Sequence, residues 1–199
     1  MKLSFIVCAF ERPSRLRTCL ASIADQTFTD WEAIVVDNSF DLQAAAKHRE
    51  YAAMDPRIRY EYVGDRAFDA RIGIRSLYQA SEIGVGMTTG EWLCFPNDDS
   101  YYAPWFAERL LNFAEPNELQ FVYCDLVHGR PDIAHYALNC QPHACAIDKT
   151  NFLVRREWFP AEWPGKIDVY GMADGVLVNE LVARGIRHGK VGQLLVVHN

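Results

Sequence analysis

The sequence predicts an α/β fold whose central sheet is mostly parallel and flanked by helices on both faces. Three observations carry that expectation. Apolar runs of strand length alternate with segments of helical periodicity through about the first 115 residues. The first two such runs are separated by one amphipathic segment, and a β-α-β crossover makes its strands parallel. Further on, Trp92, Leu93, Cys94 and Phe95 form an unbroken apolar run, as a strand buried on both faces requires.

Residues 3–10 read as the first buried strand. Pro13 suits the first turn of the helix that follows, with Leu16, Cys19, Leu20 and Ile23 as its inward stripe. Trp31 to Val36 is the second strand and ends at Asp37-Asn38-Ser39. An alanine-rich helix is expected over 42–53, a third strand over 58–62 and a polar connection over 64–74. A helix over about 75–87 then leads into the strand at 92–95. That strand stops abruptly at Pro96-Asn97-Asp98-Asp99-Ser100. Pro104 opens another helix, in which Phe106, Leu110 and Phe113 share a face. Leu119 to Cys124 is a strand, and mixed strand and loop follow to Pro142. A strand within 144–154 and a short helix at 155–159 come next. A helix over 173–184 should turn Leu177, Val178, Leu181 and Val182 inward and close at Gly185. Val191 to Val197 is the last strand.

A chain of 199 residues, half of them hydrophobic, suffices for one domain over 1–199 with a sizeable core. The net charge of −6 and the lack of any basic run argue against a nucleic-acid partner. No apolar stretch is long enough to span a bilayer, and the first residues lack the cleavage site of a signal peptide. The six cysteines include no CxxC pair, so reduced thiols and a cytoplasmic location are expected. Cys124, Cys140, His143 and Cys145 are too irregularly spaced to make a strong zinc set.

The chemistry concentrates beyond the buried strand at 92–95. Two carboxylates, Asp98 and Asp99, stand at its carboxyl end, where open α/β sheets place ligands. Carboxylates there suit a hard divalent cation and, through it, a phosphate. The alternative is a turn in which they merely cap the next helix. Aromatic residues at Tyr101, Tyr102, Trp105, Trp158 and Trp163 either stack on the rings of a ligand or fill the core.

The stretches Ser4–Pro13, Arg17–Gln26, Asp30–Asp37 and Gly84–Pro104, in that order and at that spacing, resemble the family two glycosyltransferases. The resemblance covers about the first 115 residues and is looser beyond, at Val154–Trp158 and around Asp174. It implies the GT-A fold, a Rossmann-like three-layer arrangement. About 1–115 would be the nucleotide-sugar-binding half and about 116–199 the acceptor-side half. It also implies an inverting transfer of a sugar from a nucleotide-diphosphate-sugar to a saccharide or other hydroxyl acceptor, assisted by Mn2+ or Mg2+.

By the resemblance, Asp37 holds the nucleobase, with Phe10 and Glu11 at the neighbouring strand end. The family's Asp-x-Asp falls on Asn97-Asp98-Asp99. Asn97 brings no charge but can bond a ribose hydroxyl, Asp98 is the variable middle residue, and Asp99 is the expected metal ligand. His198, after the last strand, is a second metal candidate. Arg71 and Arg75, four apart, would share a helical face towards the diphosphate. Asp174 would be the general base that takes the acceptor's proton. The family's usual Arg-Asn before its glycine reads here as Ser81-Glu82 before Gly84, a departure that removes one expected donor contact. Two other readings stand beside this one. One is a nucleotide-sugar-binding module without turnover. The other, a nucleotidyltransferase, wants a glycine- and lysine-bearing loop that Phe10–Ser14 lacks.

Overall fold

The computed structural model describes residues 1–69, 74–130, 133–143, 146–165 and 173–199. Every residue of β1 (Leu3–Ala9) is buried, the polar Ser4 included, as a run that is otherwise apolar demands. Pro13 opens α1 (Pro13–Ala24), whose buried stripe is Leu16, Cys19, Leu20 and Ile23. β2 (Trp31–Asp37) lies parallel to β1, with Ala9 opposite Asp37. The Asp41 carboxylate accepts from the Gln43 N–H and starts α2 (Leu42–Ala52). β3 (Ile58–Tyr62) runs parallel to β2.

Two short strands, β4 (Phe68–Asp69) and β5 (Ile74–Arg75), form an antiparallel ribbon. The Ser76 hydroxyl then accepts from the N–H groups of Tyr78 and Gln79, so α3 spans Leu77–Gly86. This corrects the expectation for Arg75. It belongs to β5, before the cap, and not to a helix, and Arg71 lies outside the described residues. β6 (Trp92–Cys94) pairs with β1 on the side away from β2.

The parallel block therefore has the order β3-β2-β1-β6. Strand order reverses between β1 and β6, so their carboxyl ends flank the crevice where such sheets bind ligands. The Cys8 N–H donates to the Pro96 carbonyl at 3.0 Å and keeps the two strand ends abreast.

The remaining elements complete a curled sheet. They are β7 (Ser100–Tyr102), α4 (Phe106–Ala114), β8 (Phe121–Arg130), β9 (Ile133–Leu138), β10 (Phe152–Arg155), α5 (Ala173–Ala183) and β11 (His188–His198). β10 inserts antiparallel between β6 and β8. β11 runs parallel to β8 and antiparallel to β7, and its irregular register between Val191 and Val196 lets it bend across both. Gln26 ties α4 to the first half. Its side chain donates to the Ala103 carbonyl at 2.8 Å and accepts from the Ala107 N–H, one of the first-turn donors of α4, at 3.0 Å.

Two inward faces differ from expectation. α4 buries Phe106, Ala107, Leu110, Leu111 and Ala114, leaving Phe113 exposed. α5 buries Leu177, Val178 and Leu181 and leaves Val182 exposed. Of the aromatic candidates, Tyr102 and Trp163 are buried in the core, whereas Trp105 is exposed.

Gly84 shows how closely α3 packs on the parallel block. A Cβ there would stand 2.5 Å from Ile6 Cγ2 and 2.8 Å from Val36 Cγ2. Both neighbours are β-branched and fixed in buried strands, so neither side chain has room to retreat. Gly84→Ala is expected to cost about 1–3 kcal/mol of stability by overpacking. Urea unfolding with an unchanged m-value is the measurement; an unchanged midpoint would mean that α3 packs more loosely than this.

Candidate functional site

The turn between β6 and β7 carries Asp98 and Asp99, 0% and 2% exposed. Two carboxylates side by side in the interior need counter-charge. It comes from the junction of β1 and α1. Arg12 donates one guanidinium nitrogen to Asp98 Oδ1 and another to Asp99 Oδ2, and Arg15 reaches Asp99 Oδ2 at 3.2 Å. The Phe10 N–H donates to Asp98 Oδ2 at 2.9 Å. Burial nonetheless pushes Asp98 up to about 6, because Arg12 and the Phe10 N–H offset only part of the desolvation. Burial opposes ionisation of Asp99 as well. There the His198 hydrogen bond and the charges of Arg12 and Arg15 win, and it stays below the usual carboxylate value. Arg12 and Arg15 both bond Asp99 Oδ2, and its other oxygen, Oδ1, is buried.

His198 faces that oxygen. It is the last residue of β11, in register with Ser100 on one side and His128 on the other, so it is a paired strand residue and not a frayed end. Its Nε2 lies 3.5 Å from Asp99 Oδ1 and 3.1 Å from Asn97 Nδ2. Its Nδ1 lies 2.8 Å from Asp148 Oδ2. His128 stands alongside, ring centroid 4.9 Å from that of His198, with Nε2 4.0 Å from Asp148 Oδ2. Burial opposes both charges, but the attraction between them prevails. The imidazole of His198 is raised and the carboxylate of Asp148 is held well below its ordinary range.

Asp148 is positioned by a reciprocal cap. Its side chain accepts from the Thr150 N–H, while Asn151 accepts from the Asp148 N–H, closing a 3-10 turn over Lys149–Asn151. Lys149 is 2% exposed and its Nζ donates to the Phe95 carbonyl at 3.0 Å. Its N–H donates to Asp174 Oδ2 at 3.0 Å. Asp174 lies in the first turn of α5. Burial, and after it the nearby negative charge of Asp148, pushes Asp174 up to about 7, with Lys149 and Tyr78 partly offsetting them.

Asp37 stands at the same sheet edge, beside Ala9, but faces inward with no exposure. Its Oδ2 is bonded by His48 Nδ1 at 2.8 Å and the Tyr60 hydroxyl at 2.8 Å, and its Oδ1 by the Ser39 N–H at 2.9 Å. Burial would raise it, yet those bonds hold it below the usual value. Glu11 adopts a left-handed φ of 53°, and its carboxylate accepts from the N–H groups of Phe40 and Asp41 at 3.1 and 3.3 Å. Phe10 and Phe40 both stay exposed, edge to face with centroids 5.9 Å apart. The departure at Ser81-Glu82 is absorbed by the fold: the Ser81 hydroxyl bonds the Leu77 carbonyl and Glu82 accepts from the Trp163 N–H.

The structure thus brings together Asn97, Asp98, Asp99, His198 and Asp174, adds Arg12, Arg15, His128, Asp148 and Lys149, and keeps Asp37 beneath the same edge. Arg12 was within reach of sequence reasoning, two residues beyond the strand end that flagged Phe10. Asp148 carried a weaker signal, an Asp-Lys-Thr-Asn cap before an apolar run. Cys124 and Cys140 are buried against Asn151, the residue whose side chain caps Asp148, and Cys145 lies outside the described residues.

The Glycosyl transferase family 2 model matches residues 4–161. The putative glycosyltransferase EpsH of Bacillus subtilis is 26% identical over 122 residues, which is 61% of this chain and 33% of that protein. An uncharacterized glycosyltransferase of Haemophilus influenzae is 27% identical over 131 residues, 63% of this chain and 40% of its own length. The chain therefore spans only about a third to two fifths of these relatives. Among solved structures, the mannosyltransferase PcManGT from Pyrobaculum calidifontis, in complex with GDP-Man and Mn2+, superposes with a TM-score of 0.75 at 17% identity, over 98% of this chain and 56% of that one. S. aureus TarS 1–349 in complex with UDP gives 0.73 at 15%, over 99% and 60%. The fold is accordingly GT-A.

Removing Arg12 isolates the buried Asp98 carboxylate and strips Asp99 of its nearer cation. Arg12→Ala is expected to lose about 1–3 kcal/mol of unfolding free energy, less than for a fully buried pair because the Arg12 side chain is partly exposed to solvent. Asp98→Asn in that background should recover part of the loss. Urea denaturation of both variants checks this, and full stability of Arg12→Ala alone would contradict it.

Proposed function

The chain belongs to glycosyl transferase family 2, and from that premise we propose that it transfers a hexosyl residue from a nucleoside-diphosphate donor to a saccharide hydroxyl, with inversion. The observation that carries the proposal is the convergence of Arg12, Arg15, Asp99, His198 and Asp174 at the β1–β6 switch point. The complexes of similar folds with UDP and with GDP-Man and Mn2+ support a donor of that class.

The roles follow from position and charge. Phe10 and Phe40 offer exposed aromatic faces to the base at the β1 and β2 ends. Asp37 and Glu11 frame that subsite by fixing the backbone of residues 39–41. Arg12 and Arg15, at the start of α1, add positive charge where a leaving diphosphate accumulates negative charge. Arg71 and Arg75 are proposed as further diphosphate contacts from the segment that precedes α3 in the sequence. A divalent metal, Mn2+ or Mg2+, would act there as a Lewis acid on the diphosphate oxygens. Buried Asp99 Oδ1, which neither arginine bonds, and the imidazole of His198 3.5 Å from it fit such an ion. Asn97, with its amide 3.1 Å from His198, steadies that ring.

Asp174 is the proposed base. It must be ionised to take the acceptor proton, and at about 7 it ionises within the physiological range. A single displacement needs no covalent intermediate, only this base on the acceptor side and a stabilised leaving group opposite.

Donor hydrolysis and transfer, followed by release of nucleoside diphosphate, test the reading. The rate is expected to rise about tenfold per pH unit below about 7 and to level above it, because the ionised fraction of Asp174 sets it. Asp174→Asn should lower kcat by about 100-fold or more while leaving donor affinity near that of the parent. Tight donor binding with no hydrolysis at any pH would favour a binding module instead.

A further inference from the structure

We infer that Lys149 is a positioning residue for Asp174: its backbone N–H aims the carboxylate, and its buried ammonium sets how readily that carboxylate ionises. The inference rests on the proposed function only for what the ionised carboxylate then does.

Lys149 is 2% exposed, and among the described residues no other lysine or arginine is buried. A lysine leaves water only where charge or hydrogen bonding compensates it. Its Nζ donates to the Phe95 carbonyl at 3.0 Å, at the end of the strand that leads into Asn97-Asp98-Asp99. An apolar side chain of similar volume would fill the same space without desolvating a charge, and such replacements of buried ions are often neutral or stabilising. Packing alone therefore does not account for an ammonium here. Cys19 and Cys94 also feel its charge, but burial pushes both thiols up and keeps them neutral. The groups left for it to act on are carboxylates.

Two paths connect Lys149 to Asp174. The first is the backbone. The capped turn over Lys149–Asn151 fixes the Lys149 N–H, which reaches Asp174 Oδ2 at 3.0 Å whatever side chain residue 149 carries. The second path runs through space. Among the described residues, Asp174 is acted on by Asp148 and Lys149 from this turn and by Tyr78 from α3. Burial and the charge of Asp148 disfavour its ionisation. Lys149 opposes them, first by its positive charge and then by its N–H, ahead of Tyr78. Of these groups Lys149 alone carries a positive charge. Removing the ammonium while the N–H remains leaves the aim of the carboxylate intact. It takes away attraction for the ionised form, so Asp174 holds its proton to higher pH.

Two neutral side chains separate the charge from the hydrogen bond. Lys149→Met keeps a similar length and loses both. Lys149→Gln loses the charge but keeps a donor, and it decides the matter where the methionine variant does not fold. The whole chain is labelled with carbon-13 at its carboxyl groups, and the Asp174 signal is assigned by its loss in Asp174→Asn. The Asp174 titration midpoint is expected to rise from about 7 by about one unit or more in both variants. The rising limb of sugar transfer should move with it, so the rate at about pH 6 falls about tenfold or more while the plateau at higher pH stays near that of the parent. An unmoved midpoint in the folded variants, with a rate lowered equally at every pH, overturns the assignment. A shift in Lys149→Met that Lys149→Gln lacks also overturns it, because the hydrogen bond to Phe95 and not the charge would then be responsible. A shifted midpoint in a chain whose transfer is indifferent to Asp174→Asn removes Asp174 as the base and leaves the hold of Lys149 standing. Transfer that needs Asp174, with an unmoved midpoint, does the reverse.

Discussion

The double grip of Arg12 on Asp98 and Asp99 is the interaction on which the rest depends. Burying two adjacent carboxylates is among the costliest things a chain does, and each needs a partner within the fold. Arg12 supplies both at once from the junction of β1 and α1, so the β6–β7 turn cannot move independently of the first crossover. The Phe10 N–H on Asp98 and the Cys8 N–H on the Pro96 carbonyl repeat the same tie through the backbone. The crevice at the switch point is therefore framed from both sides before any ligand arrives.

The same accounting of charge organises the second half. Asp148 and Asp174 flank one 3-10 turn, and the residue between them in space is the buried Lys149. Its ammonium holds the Phe95 carbonyl at the end of β6, and its backbone N–H holds Asp174. His198 neutralises Asp148 from the other direction. Acidic side chains from four separate segments thus share one edge of the sheet, each paired with a cation or a backbone donor. Asp174 is the least compensated of them, which is why burial and the charge of Asp148 lift it to about 7. A carboxylate held at that value is poorly suited to stabilising the fold and well suited to exchanging protons.

How much of this the sequence revealed follows from the range of the interactions involved. The parallel block was legible because burial on both faces writes itself as strongly apolar runs: 3–9, 31–37 and 92–94 stand out, interrupted only by Ser4, Glu32 and the strand-end Asp37. Asp98 and Asp99 were legible because they interrupt such a run abruptly. Arg12 follows Phe10 so closely that the same logic reaches it. His128 and Asp148 were not legible, because their meeting depends on β10 inserting antiparallel beside β8 while β11 pairs parallel on its other side. That register is a long-range fact, and neither residue sits in a pattern that announces it. β7 was missed for a similar reason, being three residues whose strand character comes from β11 alone. Asp37 shows the converse case. Its position at the strand end is right, but only coordinates reveal that His48, Tyr60 and Ser39 have already taken its oxygens.

Asn97, the departure from the family's acidic motif, follows from this crowding. An aspartate there would bring another negative charge beside Asp98 and Asp99, at an edge where Asp148 is also buried and where Arg12 and Arg15 are already engaged. Without a new cation, mutual repulsion would raise the carboxyl pKa values and protonate one of the cluster. The amide keeps the hydrogen-bonding reach, 3.1 Å from His198 Nε2, and adds no charge. In compensation β11 delivers an imidazole to the same place, positioned by its register with Ser100 and His128. Charge that the motif usually concentrates after one strand is here distributed over β6, β8, β11 and the turn before β10. The site accordingly depends on the closure of the second half of the sheet as much as on the nucleotide-binding half.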